Sequence, residues 1–261
     1  MNERKYPEDQ LRAVLESGYN FCNQPGFIPD DPISIPHRFT RKADIELAGF
    51  LTSTLAWGRR RTIIDSASRL LASMGNEPAG FLLDASPRDF KPFLGFVHRT
   101  FNGDDCIFFL TALQRIFREH GSLEPLFTTI NTRGATHAII QFRTSFLQTD
   151  HLPRSEKHLA NPQTGSACKR INMFLRWMVR RDSRGVDFGL WKTIDPSALV
   201  CPLDLHSGRT ARNLGLLSRR QNDWKAALEL TDALRRFDPA DPVRFDFALF
   251  GMGIGMDGMT G

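Results

Sequence analysis

Two side chains in this sequence have the chemistry for a covalent reaction at carbon. Lys169 and Asp204 stand thirty-five residues apart in the stretch from Thr164 to Leu217, TGSACKRINMFLRWMVRRDSRGVDFGLWKTIDPSALVCPLDLHSGRTARNLGLL. Each opens an amphipathic helical pattern. A lysine in a first helical turn faces the positive end of the helix dipole. That field and partial burial both favour the neutral amine, and a neutral amine forms Schiff bases with carbon electrophiles. Asp204 offers a carboxylate to stabilise positive charge. Duller roles fit the same residues. An isolated lysine is usually a solvated surface side chain, and Asp204 is an N-cap by position.

Around this pair lie groups suited to phosphate. Gly165 and Ser166, followed by Ala167, expose backbone N–H groups at a helix start, and such a start binds anions; a tight turn without a ligand is the alternative. Arg170 follows Lys169. His206, Arg209 and Arg212 follow Asp204, and Arg59, Arg60 and Arg61 follow Trp57-Gly58. A further cluster is Arg180, Arg181 and Arg184. Such clusters are either one basic face or separate solvated ones. Trp57, His98 and Trp177 are candidate pocket walls. Asp204-x-His206 suggests a metal pair, but His37 and His98 are far off in sequence and two ligands are not a site. Cys22, Cys106, Cys168 and Cys201 include no CxxC pair, so neither a zinc site nor an iron–sulfur cluster is expected. No cofactor is implied.

The elements that must position these groups are helices. Apolar spacing predicts helices over about 4–24, from Asp44 to near Gly58, 60–74, 104–119, 135–147, from Lys169, 205–213, 222–236 and 242–251. Prolines 25, 29, 32 and 36 predict an extended surface connection. Residues 76–100 and 148–163 read as irregular, 181–200 as a loop, and the glycine-rich tail 251–261 as frayed. No period-two alternation and no repeat emerge, so the fold class is all-α. The loop near 148–163 divides it into two lobes, approximately 40–147 and 1–39 with 160–255, within one domain of 261 residues.

A net charge of +5 favours an acidic partner. No apolar run approaches the roughly eighteen residues of a membrane helix, so no membrane partner is expected. MNERKYPEDQ is polar, unlike a secretory leader, and scattered free thiols suit a reducing cytoplasm. Oligomeric state is not legible.

The order of these motifs resembles a known family. ADIELAGFLTSTLAWGRRRTIIDSASRLL is similar to the helix pair that opens the helix-hairpin-helix-GPD superfamily of DNA glycosylases. GSACKRINMFLRWM resembles its hairpin and lysine-bearing helix, and PLDLHSGRTARNLGL its Asp-x-His segment followed by Arg and Leu-Gly. Its hairpin is usually Leu-Pro-Gly-x-Gly, where this chain has QTGSA. The archaeal-type 8-oxoguanine glycosylase branch is the nearest analogy, with a similarly long gap between lysine and aspartate. The whole chain also resembles an uncharacterised bacterial family with the PHRF, AGFLTSTLAWG and GFVHRTFNG motifs. The resemblance implies a two-lobed helical bundle of the glycosylase type, double-stranded DNA as partner, Lys169 as the Schiff-base nucleophile and Asp204 as the second catalytic residue. It implies base excision and AP-lyase chemistry on a damaged base such as an oxidised purine. The competing expectations are a non-catalytic nucleic-acid-binding protein on the same scaffold and a metal-dependent hydrolase built from His37, His98, His206 and Asp204.

Overall fold

A computed structural model describes residues 6–253. Within them α-helices run Glu8–Cys22 (α1), Lys42–Leu55 (α2), Arg60–Ala72 (α3), Pro78–Asp84 (α4), Gly103–His120 (α5), Ile130–Phe146 (α6), Lys169–Val179 (α7), Leu205–Asn213 (α8), Trp224–Arg235 (α9) and Asp246–Gly253 (α10). Short 3-10 turns join them. Among the described residues there is no β-strand, only isolated bridges between His98 and Phe101 and between Ser166 and Asp223. The fold is all-α. No described helix is long and apolar enough to cross a membrane.

The chain forms two compact units: Met1–Phe27 with Pro162–Gly261, and Ile28–Asn161. Residues 28–39 therefore cluster with the middle of the chain rather than with its ends, where the sequence had placed them. The prolines of that stretch make 3-10 turns instead of an extended surface run. Pro32, Ile33, Ile35 and Pro36 are buried there, and Asp31 caps a turn through the Ile33 N–H.

The Ile28–Asn161 unit is built on α2, which is buried all round from Asp44 to Leu55. Such a helix must find partners for its polar side chains. Asp44 accepts from the Ala79 N–H at the start of α4, at 2.9 Å. Glu46 accepts from Ser122 and from the Leu123 N–H. This explains α4, which the proline-rich reading of 76–100 left irregular: its first turn is capped from another helix. Phe50, Phe109, Phe142 and Phe146 form the aromatic centre. The last helix of the unit starts at Ile130, but Gly134 breaks it (φ 79°, ψ 165°), and the clear periodicity begins just after that break.

In the other unit α7 is central. Every residue from Ile171 to Val179 is buried, so a one-sided helix in the sequence is enclosed in the fold. The segment after it is no loose insertion. The N–H groups of Phe188 and Trp191 donate to the Trp177 and Met178 carbonyls at 2.8 and 2.9 Å, satisfying groups that a helix end leaves open. Val186, Trp191, Ile194 and Leu199 enter the core. The 222–236 helix begins at Trp224, because Asp223 caps it through the Ala226 N–H. The final stretch is a 3-10 turn at Pro242–Phe245 followed by α10, so residues 251–253 are helical and only 254–261 of the expected tail lie outside the described residues.

Candidate active site

Lys169 is the first residue of α7, and its start is unusual. Cys168 precedes it in the left-handed region (φ 53°) and gives no side-chain cap. Three residues further back Gly165 has φ +84°, a conformation a side chain would strain. The chain thus makes a tight, small-residue turn into the helix. That turn is pinned from outside: Ser166 bridges to Asp223, and the Trp224 N–H donates to the Gly165 carbonyl at 3.2 Å.

Asp204 is the N-cap of α8. Its Oδ1 accepts from the His206 N–H at 2.9 Å and the Ser207 N–H at 3.0 Å, and the Ser207 hydroxyl accepts from the Asp204 N–H to complete a capping box. Its Oδ2 is left for another partner, and that partner is Lys169, whose Nζ lies 3.6 Å away. The cap and the pair are therefore one arrangement. The two side chains are 30% and 28% exposed, enough for a substrate to reach them. Burial pushes the Asp204 carboxyl up, but the Lys169 ammonium and the two backbone N–H groups outweigh it and hold it below 3.8. At neutral pH it is a carboxylate.

A brace that the sequence did not disclose joins the two halves. Asn222 Nδ2 donates to the Asp204 carbonyl at 2.8 Å, and its Oδ1 accepts from Arg212 at 2.5 Å. Arg212 also donates to the Arg219 carbonyl at 2.8 Å. Asn222 comes so near to α8 that a Cβ on Gly208 would lie 2.6 Å from its Oδ1. The run 219–224 thus holds Asp204 on one side and the Gly165 turn on the other. Asn222 carries no periodic or motif signal, which is why sequence reasoning passed over it.

The other expected site residues fall into distinct places. Gly165, Ser166, Arg170, His206, Arg209 and Arg212 share the unit of the Lys169–Asp204 pair. His206 and Arg209 are exposed, and Arg209 also reaches the Gly253 carbonyl at 3.3 Å. Burial pushes the Arg170 guanidinium down to about 10, still charged at neutral pH. Arg212 is occupied by the brace, so its main task is internal.

Trp177 is a correction: it is wholly buried in the core and lines no open pocket. Arg180 is another. It is buried and bonded to Asp187, Asp241 and Asp182, while Arg184 lies over Tyr19 and donates to Asn20. Arg180 and Arg184 are therefore structural, and of the three Arg181 is exposed.

Arg59, Arg60, Trp57 and His98 belong to the Ile28–Asn161 unit. Arg59 is exposed and Arg60 half-buried. Trp57 is half-buried, with its ring against His158 and edge-on to His98. His98 is buried, with Nδ1 3.0 Å from the Ser66 hydroxyl, and burial lowers its pKa below 6.5. Its contacts make it a structural imidazole rather than a pocket wall. No group of three or more His, Cys, Asp or Glu among the described residues is placed to hold a metal ion.

What the arrangement offers is an accessible amine beside a fixed carboxylate, next to the Gly165 turn and with His206 and Arg209 on the surface nearby. Comparison with known proteins gives a family. The chain belongs to the family described as Protein of unknown function (DUF2400), whose model matches residues 31–255 and so includes both Lys169 and Asp204. No curated protein and no solved structure matches the chain.

Proposed function

We propose that this protein is a DNA base-excision glycosylase with AP-lyase activity, acting in DNA repair on a damaged base through a Schiff base on Lys169. The observation that carries the reading is the 3.6 Å pairing of Lys169 Nζ with the free oxygen of the Asp204 cap. The damaged nucleotide is turned out of the duplex, as chemistry on a base requires. Lys169 first loses a proton to solvent; the neutral amine then attacks C1′, and the C1′–N bond to the base breaks. Asp204 stabilises the positive charge that develops on the sugar. The base leaves with a proton, and the sugar opens to a Schiff base with Lys169. Loss of a C2′ proton then expels the 3′ phosphate by β-elimination. The Gly165 turn, Ser166, Arg170, His206 and Arg209 contact phosphates, which position the duplex rather than read its sequence. An oxidised purine is the favoured lesion, double-stranded DNA the partner, and the cytoplasm the setting.

The test is strand cleavage and base release on duplexes carrying single defined lesions, oxidised purines first. Wild-type protein cleaves at one of them, and Lys169→Gln binds the same duplex without cleaving. A wild-type protein that cleaves none of them, and is indistinguishable from Lys169→Gln, refutes the proposal.

A further inference from the structure

Lys169 is the outermost of three cations along one side of α7, the last of which, Arg180, is the residue just past its end. Arg176 is two turns on and Arg180 three, spacings that bring side chains back to the same side of a helix. Exposure falls along the row, from 30% at Lys169 to 6% at Arg176 and 1% at Arg180. Each cation meets carboxylates. Lys169 has Asp204. Arg176 has Asp187 at 3.3 Å and, on the side of α10, Asp246 at 2.5 Å.

Asp246 is the first residue of α10, and α10 packs on α8, the helix that Asp204 caps. At the far end of α10 a Cβ on Gly253 would lie 3.1 Å from His206 Cβ, and Arg209 donates to the Gly253 carbonyl. The C-terminal end of α10 is therefore fixed against α8. Burial pushes the Asp246 carboxyl up to about 6. Arg176 opposes that, Asp204 adds to it and Lys169 opposes it, so all four groups share one field. The Cys201 thiol lies in the same cluster, and burial keeps it neutral. Other charged or titratable groups on the elements around the amine include Cys168 and Arg170 at the start of α7, His206 and Arg209 on α8, and Asp187 behind Arg176.

We propose that Asp246 is a positioning residue for the Lys169 amine: it holds and neutralises the Arg176 guanidinium behind the Lys169–Asp204 pair and sets how readily the amine releases its proton. An anion nearby favours the ammonium and a cation disfavours it. With Asp246 in place, two buried carboxylates, Asp246 and Asp187, face the Arg176 guanidinium. Without Asp246 one of the two is lost, and the charge behind Lys169 shifts toward positive. The proposal rests on Lys169 as the reactive amine, but not on DNA chemistry.

The test is reductive methylation of the lysines with ¹³C-formaldehyde in the full chain, followed by NMR titration, with the Lys169 signal assigned by its absence in Lys169→Arg. Asp246→Asn moves its titration midpoint to lower pH, by roughly half a unit to one unit. Arg176→Gln, which leaves Asp246 unneutralised, moves it to higher pH. Asp241→Asn, at the deep end of the row, leaves it in place. Loosened packing does not produce shifts of opposite sign. Equal midpoints in wild type and Asp246→Asn, or shifts of both variants in one direction, overturn the proposal. If Asp246→Asn does not fold, Arg176→Gln decides alone, and anything but an upward shift overturns it. A wild-type protein without activity on any lesion ends the glycosylase reading, while the titration still decides on Asp246.

Discussion

Asp204 divides its two oxygens between two tasks, and that division makes its roles separable. Oδ1 caps α8 and Oδ2 faces Lys169. Asparagine is as good an N-cap as aspartate, whereas alanine is not, at a typical cost of about 1 kcal/mol. Asp204→Ala therefore loses about that much stability in urea unfolding, and Asp204→Asn loses less. Under the proposed chemistry both lose base excision by about a hundredfold or more, the scale of removing one electrostatic stabiliser. An Asp204→Asn variant as active as wild type would reduce the residue to a cap. Both candidate residues were legible in the sequence because both stand at helix starts, which periodicity and capping rules locate. Their 3.6 Å separation was not: the small residues at Gly165 mark a turn, but Asn222, which braces Asp204 against it, carries no local pattern that announces it.

At the scale of elements, α8 presents two arginines that look alike in sequence and differ in place. Arg209 is exposed, while Arg212 is tied into the 219–222 brace. If the helix faces DNA, Arg209→Ala lowers the slope of log affinity against log salt by about one. Arg212→Ala leaves that slope nearly unchanged and lowers the unfolding midpoint; a reversed pattern would show that the brace is not what occupies Arg212. Gly208→Ala tests the same brace. The new Cβ collides with Asn222. The helix gains about 1 kcal/mol of propensity, and the loss of one or two hydrogen bonds costs about as much. Stability thus stays within about 1 kcal/mol of wild type, while activity falls about tenfold or more because Asp204 loses its tether. Unchanged activity would mean that Asn222 does not position Asp204. The 181–200 segment shows why such elements are hard to read. It looks like an insertion because it lacks periodicity, yet Asp187, Phe188 and Trp191 fold it onto the end of α7. Irregular backbone of this kind is specified by tertiary partners, not by local propensity.

Over the whole molecule, the all-α class was legible from the 3.6-residue periodicity and glycine stops. The buried polar framework was not, because Arg176 and Arg180 read in sequence as ordinary basic residues; their register with Lys169 was the available signal. That framework has a consequence for pH. Burial raises the Asp241 and Asp246 carboxyls to about 6. A raised carboxyl contributes stability that is complete below its unfolded value near 3.8 and lost as pH rises through about 6. Asp105, Asp182 and Asp204 are lowered, and theirs is lost as pH falls below about 3.8. Thermal unfolding from pH 7.5 downward accordingly shows a midpoint that rises toward pH 5 and falls below about pH 4, with the rise reduced in Asp241→Asn. A steady fall from pH 7 would contradict the assignment. The central claim, that Lys169 is the nucleophile, is tested most directly by borohydride reduction of the protein in the presence of lesion-containing duplex, followed by peptide mapping of the adduct. The account predicts a covalent protein–DNA species in wild type with the sugar remnant on Lys169, and none in Lys169→Gln. An adduct on another residue, or no adduct with any lesion, contradicts it.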